Sequence, residues 1–235
     1  MFIMIDGIDG SGKSTALEAW KAYFTSQGNA IFDLKKYWIE KKIYPELTEI
    51  KSYDFIFSCE PTRVGIGQII REELINKDKN YPAQAIAEAY SLDRLVLYHK
   101  IIIPILKDGK CIIQDRGLST TLAYQTVQST RLDFNTLANL PGNKLALDWR
   151  PDHLVLVDAE PQKAAERLVK RADKQDLAIF EHLETLQKNA AQFRNVEYQK
   201  IFLSRGTKIE TLNGNEEIDI MKAKAVDLIK KILNN

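Results

Sequence analysis

The sequence predicts an α/β fold, a parallel sheet with helices on both faces. Two observations predict it. Short apolar runs that read as buried strands alternate along the chain with helical patterns, as in strand–helix–strand crossovers. Polar clusters also follow three of those runs, where a parallel sheet presents its ligand-binding edge.

The elements follow in order. Residues 2–5 are wholly apolar, as expected of a strand covered on both faces. Residues 14–27 carry Leu17, Trp20 and Phe24 at helical spacing, and Gly28 stops them. Further strand-like runs are "YDFIFSC" (53–59), "KCIIQ" (110–114), "HLVLVD" (153–158) and "TKIETL" (207–212). Helical patterns cover 66–77, 83–103, a stretch near 118–128, 161–171, roughly 178–203 and 216–233. The stretch "DLKKYWIEKKIYPELTEIK" (33–51) is too long for an ordinary helix–strand connection. It reads as an insertion with some helix of its own, and as a solvated excursion ahead of a binding surface.

With 235 residues, 45% of them hydrophobic, the chain suits one substantial core, and a single domain over 1–235 is expected. Its 33 basic and 32 acidic side chains leave a formal charge of +1, so no field of one sign draws in nucleic acid or anionic lipid. Cys59 and Cys111 sit in apolar runs and read as buried free thiols. No basic leader precedes the first apolar residues, and the longest apolar stretches fall far short of the roughly 18 residues of a membrane span. A cytoplasmic protein with no membrane and no nucleic-acid partner is expected.

The strongest motif is Gly7-Ile-Asp-Gly-Ser-Gly-Lys13-Ser14, which fits G-x-x-x-x-G-K-[ST] between a strand and a helix. Glycines let successive backbone N–H groups turn inward around phosphate oxygens at the positive end of a helix. Lys13 can neutralise the β- and γ-phosphates and Ser14 can hold Mg²⁺. ATP binding is therefore assigned to Gly7, Gly10, Ser11, Gly12, Lys13, Ser14 and Thr15, in a P-loop NTPase fold.

The other clusters are weaker one by one. In "QDRG" (114–117), Asp115 can orient the magnesium shell, through water, or a reacting oxygen, and Arg116 can fork onto a phosphate. Read alone, this pair suits a strand-end salt bridge better. In "CEPTR" (59–63), Arg63 offers a second anion clamp, against the plainer reading of a turn. Tyr90 and Arg94 lie four apart and share a helical face, which suits a nucleobase as well as a core tyrosine beside a surface arginine. Arg167, Lys170 and Arg171 run into a polar loop, either as a solvated helix end or as a lid over ATP near 171–181. His99, His153 and His182 are scattered, and no metal-ligand spacing is found.

Taken together, these clusters resemble the thymidylate kinase family of P-loop nucleoside monophosphate kinases. "FIMIDGIDGSGKST" is similar to the family's opening strand and P-loop, and "EPTRVGIGQIIREEL" to its E-P-G-G-T-x-x-G-x-x-I-R segment. "YSLDR", "DRGLSTTLAYQ" and "RPDHLVLVDAEPQKAAERLVKR" resemble three further segments in the family's order. The resemblance implies an ATP-dependent kinase of a deoxynucleoside monophosphate, above all dTMP, with Mg²⁺, in a homodimer whose protomer has a five-stranded parallel sheet. It implies that Asp9 faces the acceptor, that Arg63 and Arg116 hold its phosphate, and that Tyr90 stacks on the base while Arg94 reads its edge. Tyr124 would lie against the deoxyribose, with Gln125 close by. Gly117 stands where an aromatic usually follows Asp-Arg, Thr62-Arg63-Val64 replaces Gly-Gly-Thr, and Leu177 stands where a lid arginine is usual. Arg171, where helix gives way to loop, is then the expected lid cation, catalytic with Lys13, Asp9 and Arg116 and supported by Arg167. The alternatives are a kinase of another nucleotide or nucleoside, and a regulatory P-loop NTPase. Against the last, no N-K-x-D segment is found.

Overall fold

A computed structural model of the chain describes residues 1–76, 79–170 and 183–234. Among them, six strands form one sheet in the order β2-β3-β4-β1-β5-β6, with every neighbouring pair parallel. The strands are β1 (Phe2–Asp6), β2 (Ile31–Asp33), β3 (Phe55–Cys59), β4 (Cys111–Asp115), β5 (His153–Asp158) and β6 (Lys208–Asn213). The parallel α/β class is as expected, with six strands in place of five. The extra one, β2, has three residues and buries only Phe32, too short for any alternation to register in sequence.

Helix α1 (Lys13–Ser26) buries Ala16, Leu17, Trp20 and Phe24 on one stripe. The stretch before β3 forms α2 (Leu34–Lys41) and α3 (Leu47–Ile50). Helix α4 (Ile66–Ile69) runs into a π turn at Ile70–Leu74. Helix α5 (Ala83–Leu97) passes through a second π turn (Tyr98–Ile102) into α6 (Ile103–Lys107). After β4 come α7 (Leu118–Gln128), α8 (Phe134–Ala138) and α9 (Pro141–Asp148). The sequence pattern left 129–150 unassigned, although Asp133 caps α8 by accepting from Thr136 N at 2.7 Å and Pro141 opens α9. Helix α10 (Pro161–Val169) follows β5, and α11 (Leu183–Arg194) and α12 (Val196–Leu203) precede β6. The single helix expected over 178–203 is thus broken at Asn195, whose side chain caps α12 by accepting from Glu197 N at 2.8 Å. Helix α13 (Ile218–Leu233) ends the chain.

Two cores flank the sheet. One lies under α1 and α13, locked by Trp20 donating to Ala225 O at 2.7 Å. The other gathers side chains of α5, α7, α11 and α12. Because α1 leaves β1 on one face and α7 leaves β4 on the other, a crevice opens between these neighbouring strands at their carboxyl ends. No helix among the described residues is long and apolar enough to cross a membrane.

Candidate active site

At that crevice lies a cavity of about 530 Å³. The loop after β1, the turn after β3 and the residues closing β4 all reach it, so the three polar clusters meet at one edge.

The glycine loop forms one end. Gly10 is held at φ +77°, and a Cβ there would lie 2.4 Å from Ala164 O, so only glycine fits. Gly10, Gly12, Lys13 and Ser14 line the cavity, while Gly7, Ser11 and Thr15 do not. Lys13 Nζ donates to the Gly7 and Ile8 carbonyls, both at 2.8 Å. Burial, helped by Arg116, lowers its ammonium to about 8, against the pull of Asp9, Asp115 and Asp6. Arg167 Nη1 donates to Gly214 O at 2.7 Å and to Gly10 O at 3.4 Å, bracing the loop. Arg171 and Leu177 lie outside the described residues.

The turn after β3 forms the other side. Asp93 on α5 accepts from Thr62 N at 2.8 Å and Thr62 Oγ1 at 2.7 Å. Arg71 Nε donates to the Pro61 and Thr62 carbonyls, both at 3.1 Å. Gly67 lets α4 close on this turn, since a Cβ there would sit 2.5 Å from Thr62 N. Arg63 is thereby presented to the cavity. Sequence reasoning passed over Arg71 and Asp93; the signal available was the spacing of Gly67 and Arg71, four apart on one helical face.

Between the two ends sits a charged centre. Arg116 Nη2 meets Asp9 Oδ1 at 2.6 Å, and its Nη1 lies 3.6 Å from Asp6 Oδ1 and 3.3 Å from Thr120 Oγ1. The Tyr124 hydroxyl donates to Asp9 Oδ2 at 3.2 Å, and the Arg116 guanidinium lies 5.4 Å from the Tyr124 ring centroid. Asp6 is fully buried, and burial raises its carboxyl while Arg116 and Lys13 oppose the rise.

Tyr90, Thr121, Tyr124 and Gln125 wall the innermost part. The Gln125 Oε1 atom is buried with no hydrogen bond among the described residues, a vacant acceptor facing a ligand pocket. Arg94 lies beneath this wall rather than on it. It is fully buried, pairs with Glu60 Oε2 at 2.6 Å, and donates to Thr121 Oγ1 at 3.0 Å and to Asn143 Oδ1. Burial pushes the Glu60 carboxyl up to about 7, with Arg94 opposing the rise. Arg94 therefore reaches the cavity only through Glu60 and Thr121.

A magnesium nucleotide suits the donors present. No group of three metal-ligating side chains occurs among the described residues, but Asp115 Oδ1 is buried without a hydrogen bond and Ser14 faces the cavity. Mg²⁺ keeps several waters and takes one or two protein oxygens beside substrate phosphates, so this sparse set fits it.

A phosphate loop and an arginine-lined pocket facing each other across a parallel-sheet switch point define a P-loop phosphotransferase. The sequence model for thymidylate kinase matches residues 38–224, a span that begins after the phosphate loop. The chain is 31% identical over 199 residues to a probable thymidylate kinase of Thermococcus onnurineus, covering 82% of this chain and 81% of that protein. It is 26% identical over 236 residues to a thymidylate kinase of Campylobacter concisus, covering 100% and 97%. The chain belongs to the thymidylate kinase family.

Proposed function

We propose that the chain transfers the γ-phosphoryl group of ATP to dTMP, giving ADP and dTDP. Family membership supports the reading. The observation that carries it is the single cavity joining the phosphate loop to the tyrosine-walled pocket beside Arg63 and Arg116.

In this reading the loop amides and the positive end of α1 hold the β- and γ-phosphates, and Lys13 leaves its carbonyl partners to meet them. Ser14, with Asp115 through water, would hold Mg²⁺, which would supply further charge neutralisation. An oxygen of the acceptor phosphate attacks the γ-phosphorus. The bond to the β–γ bridging oxygen breaks, and its electron pair leaves with ADP. The acceptor oxygen is already ionised, so no general base is required. Catalysis then rests on alignment and on cations that meet the spreading charge. Arg63 and Arg116 hold the acceptor phosphate, Tyr90 stacks on thymine, and Tyr124 and Gln125 border the deoxyribose. Arg94 acts from behind the base, orienting the Thr121 hydroxyl. The chain is taken as one domain with an insertion at 33–51 and a lid near 171–181 that carries Arg171. It is also taken as a homodimer, as family membership suggests.

The test is a panel of nucleosides and monophosphates with Mg·ATP. The expected outcome is dTMP as best acceptor, deoxyribose ahead of ribose, and a loss of about 10²–10³ in rate for Lys13→Ala with the fold intact. AMP or GMP as best acceptor would overturn the substrate reading.

A further inference from the structure

Helix α2 belongs to the segment that reads in sequence as a solvated excursion, yet Lys35, Ile39 and Lys42 line the cavity. Lys35 and Ile39 lie four apart on one helical face, and Lys42 follows the helix as its C-cap, at φ 59°. The helix is moored from its other side. Leu34 and Trp38 are fully buried, and Asp33 caps the first turn, accepting from Lys36 N at 3.1 Å and from Lys21 Nζ at 2.8 Å. Just beyond the helix, Tyr44 packs edge-on against Trp38, with ring centroids 5.8 Å apart, and its hydroxyl lies near Thr62, next to Arg63. The helix and the arginine clamp are therefore parts of one assembly.

Charge gives this face a purpose. Among the described residues lining the cavity, six cationic side chains face four carboxylates, and α2 supplies two of the six. Without Lys35 and Lys42 the lining would be neutral by count. Of the other four cations, Lys13 is spent on loop carbonyls, Arg71 on the Pro61–Thr62 turn and Arg116 on Asp9. The side chains of Lys35 and Lys42 have no ion pair or hydrogen bond among the described residues. A reaction between two polyanionic substrates needs that surplus.

Position decides which anion receives it. Strand β2, which leads into α2, borders β3 and lies three strands from β1 and its phosphate loop. That separation is about 14 Å at the usual strand spacing. Lys35 is also close enough to the carboxyl end of β3 for its charge to act, with those of Arg63 and Arg71, on the Cys59 thiol.

We infer that helix α2 is a wall of the acceptor site, with Lys35 contacting the phosphate of the acceptor monophosphate and Lys42 adding to the field at the cavity mouth. The inference rests on the kinase reading above and concerns a segment to which that reading gives no role.

The experiment compares Lys35→Gln, Lys42→Gln and Lys36→Gln, the last being an α2 lysine that does not line the cavity. Wild-type protein first fixes the best acceptor from the panel. If that is not dTMP, the substrate reading fails and the comparison proceeds with the monophosphate found. Lys35→Gln is expected to raise KM for the monophosphate about tenfold or more, the worth of one charge-assisted hydrogen bond. Its kcat should stay within threefold, with KM for ATP unchanged. Inhibition by the matching nucleoside, which lacks the phosphate, should also be unchanged. Lys42→Gln should raise KM about threefold, in keeping with an exposed charge, and Lys36→Gln should have no effect. Monophosphate KM within twofold of wild type for Lys35→Gln would overturn the inference. So would a parallel loss of nucleoside binding, which would mean that the wall had merely collapsed. A fall in kcat at constant KM would place the lysine on the transferred group and likewise refute acceptor contact.

Discussion

Arg94→Met isolates the ion pair under the nucleoside pocket. Arg94 and Glu60 are 0% and 3% exposed and 2.6 Å apart, and Glu60 Oε1 also accepts from Gln114 Nε2 at 2.9 Å. Removing one partner of such a pair leaves a buried charge and costs about 3–5 kcal/mol. Glu60 has an escape, because it can bind a proton. Burial already holds its carboxyl at about 7, so at pH 7.5 a proton is easily taken up, which keeps the penalty at the low end of that range. The expected loss is therefore about 3–4 kcal/mol, or a Tm lowered by about 6–16 °C for a chain of this size. Adding Glu60→Gln removes the stranded charge, so the double variant should recover about 2 kcal/mol relative to Arg94→Met alone. Urea denaturation of the three variants and wild type at pH 7.5, without nucleotide, measures the cycle. A cost below about 1 kcal/mol for Arg94→Met, or a double variant no more stable than the single, would refute the pairing as a stabilising unit.

Gly67→Ala should lower stability by about 1–3 kcal/mol, because the new methyl would press into the Thr62 backbone. It should also raise KM for the monophosphate more than KM for ATP, since that turn presents Arg63; equal effects on both substrates would contradict this. Burial pushes the Cys111 thiol up to about 12, so its thiolate fraction at pH 8 is about 10⁻⁴. Iodoacetamide labelling of the native protein at Cys111 should be slow and rise about tenfold per pH unit from 8 to 10; fast labelling that levels off above about pH 9 would show an ordinary exposed thiol.

What sequence could reveal divides along a physical line. The phosphate loop was legible because its function lies in backbone conformation, and glycine spacing records that locally. The edge where the three clusters meet was legible because parallel strands share a direction. Contacts that depend on which strands are neighbours were not. Arg94 shares a helical face with Tyr90, which suggested one role for both, but Glu60 at the end of β3 draws the guanidinium below the wall that Tyr90 lines. Lys35, Ile39 and Lys42 showed helical spacing, and a lysine face on a lone helix reads as solvated until the neighbouring elements are known. Arg71 and Asp93 act by fixing the backbone of a turn elsewhere in sequence, so the Gly67–Arg71 spacing gains its meaning only once that turn is placed beside it.

Arg116 brings these strands together. It is one of two non-glycine residues at positive φ among the described residues, at +65°, a conformation that costs roughly 1–2 kcal/mol. The surroundings hold it there: its N–H donates to Ile5 O at 3.0 Å, and its carbonyl accepts from Gln114 Nε2 at 2.9 Å. Gly117 next to it is packed against side-chain ends, where a Cβ would lie 2.5 Å from Met4 Cε and 2.9 Å from Gln114 Nε2, so a larger residue there must displace them. The turn sends the guanidinium back across the crevice, from Asp6 at the end of β1 to Asp9 in the loop. In that position it raises the cost of charging Lys13 while Asp6, Asp9 and Asp115 lower it. Under the proposed function, a phosphate entering between Lys13 and Arg116 would meet two cations kept apart by carboxylates and would replace the partners that each gives up. In that reading the positive-φ turn at Arg116 holds ready, before any substrate arrives, the charge arrangement that an in-line transfer between two anions requires.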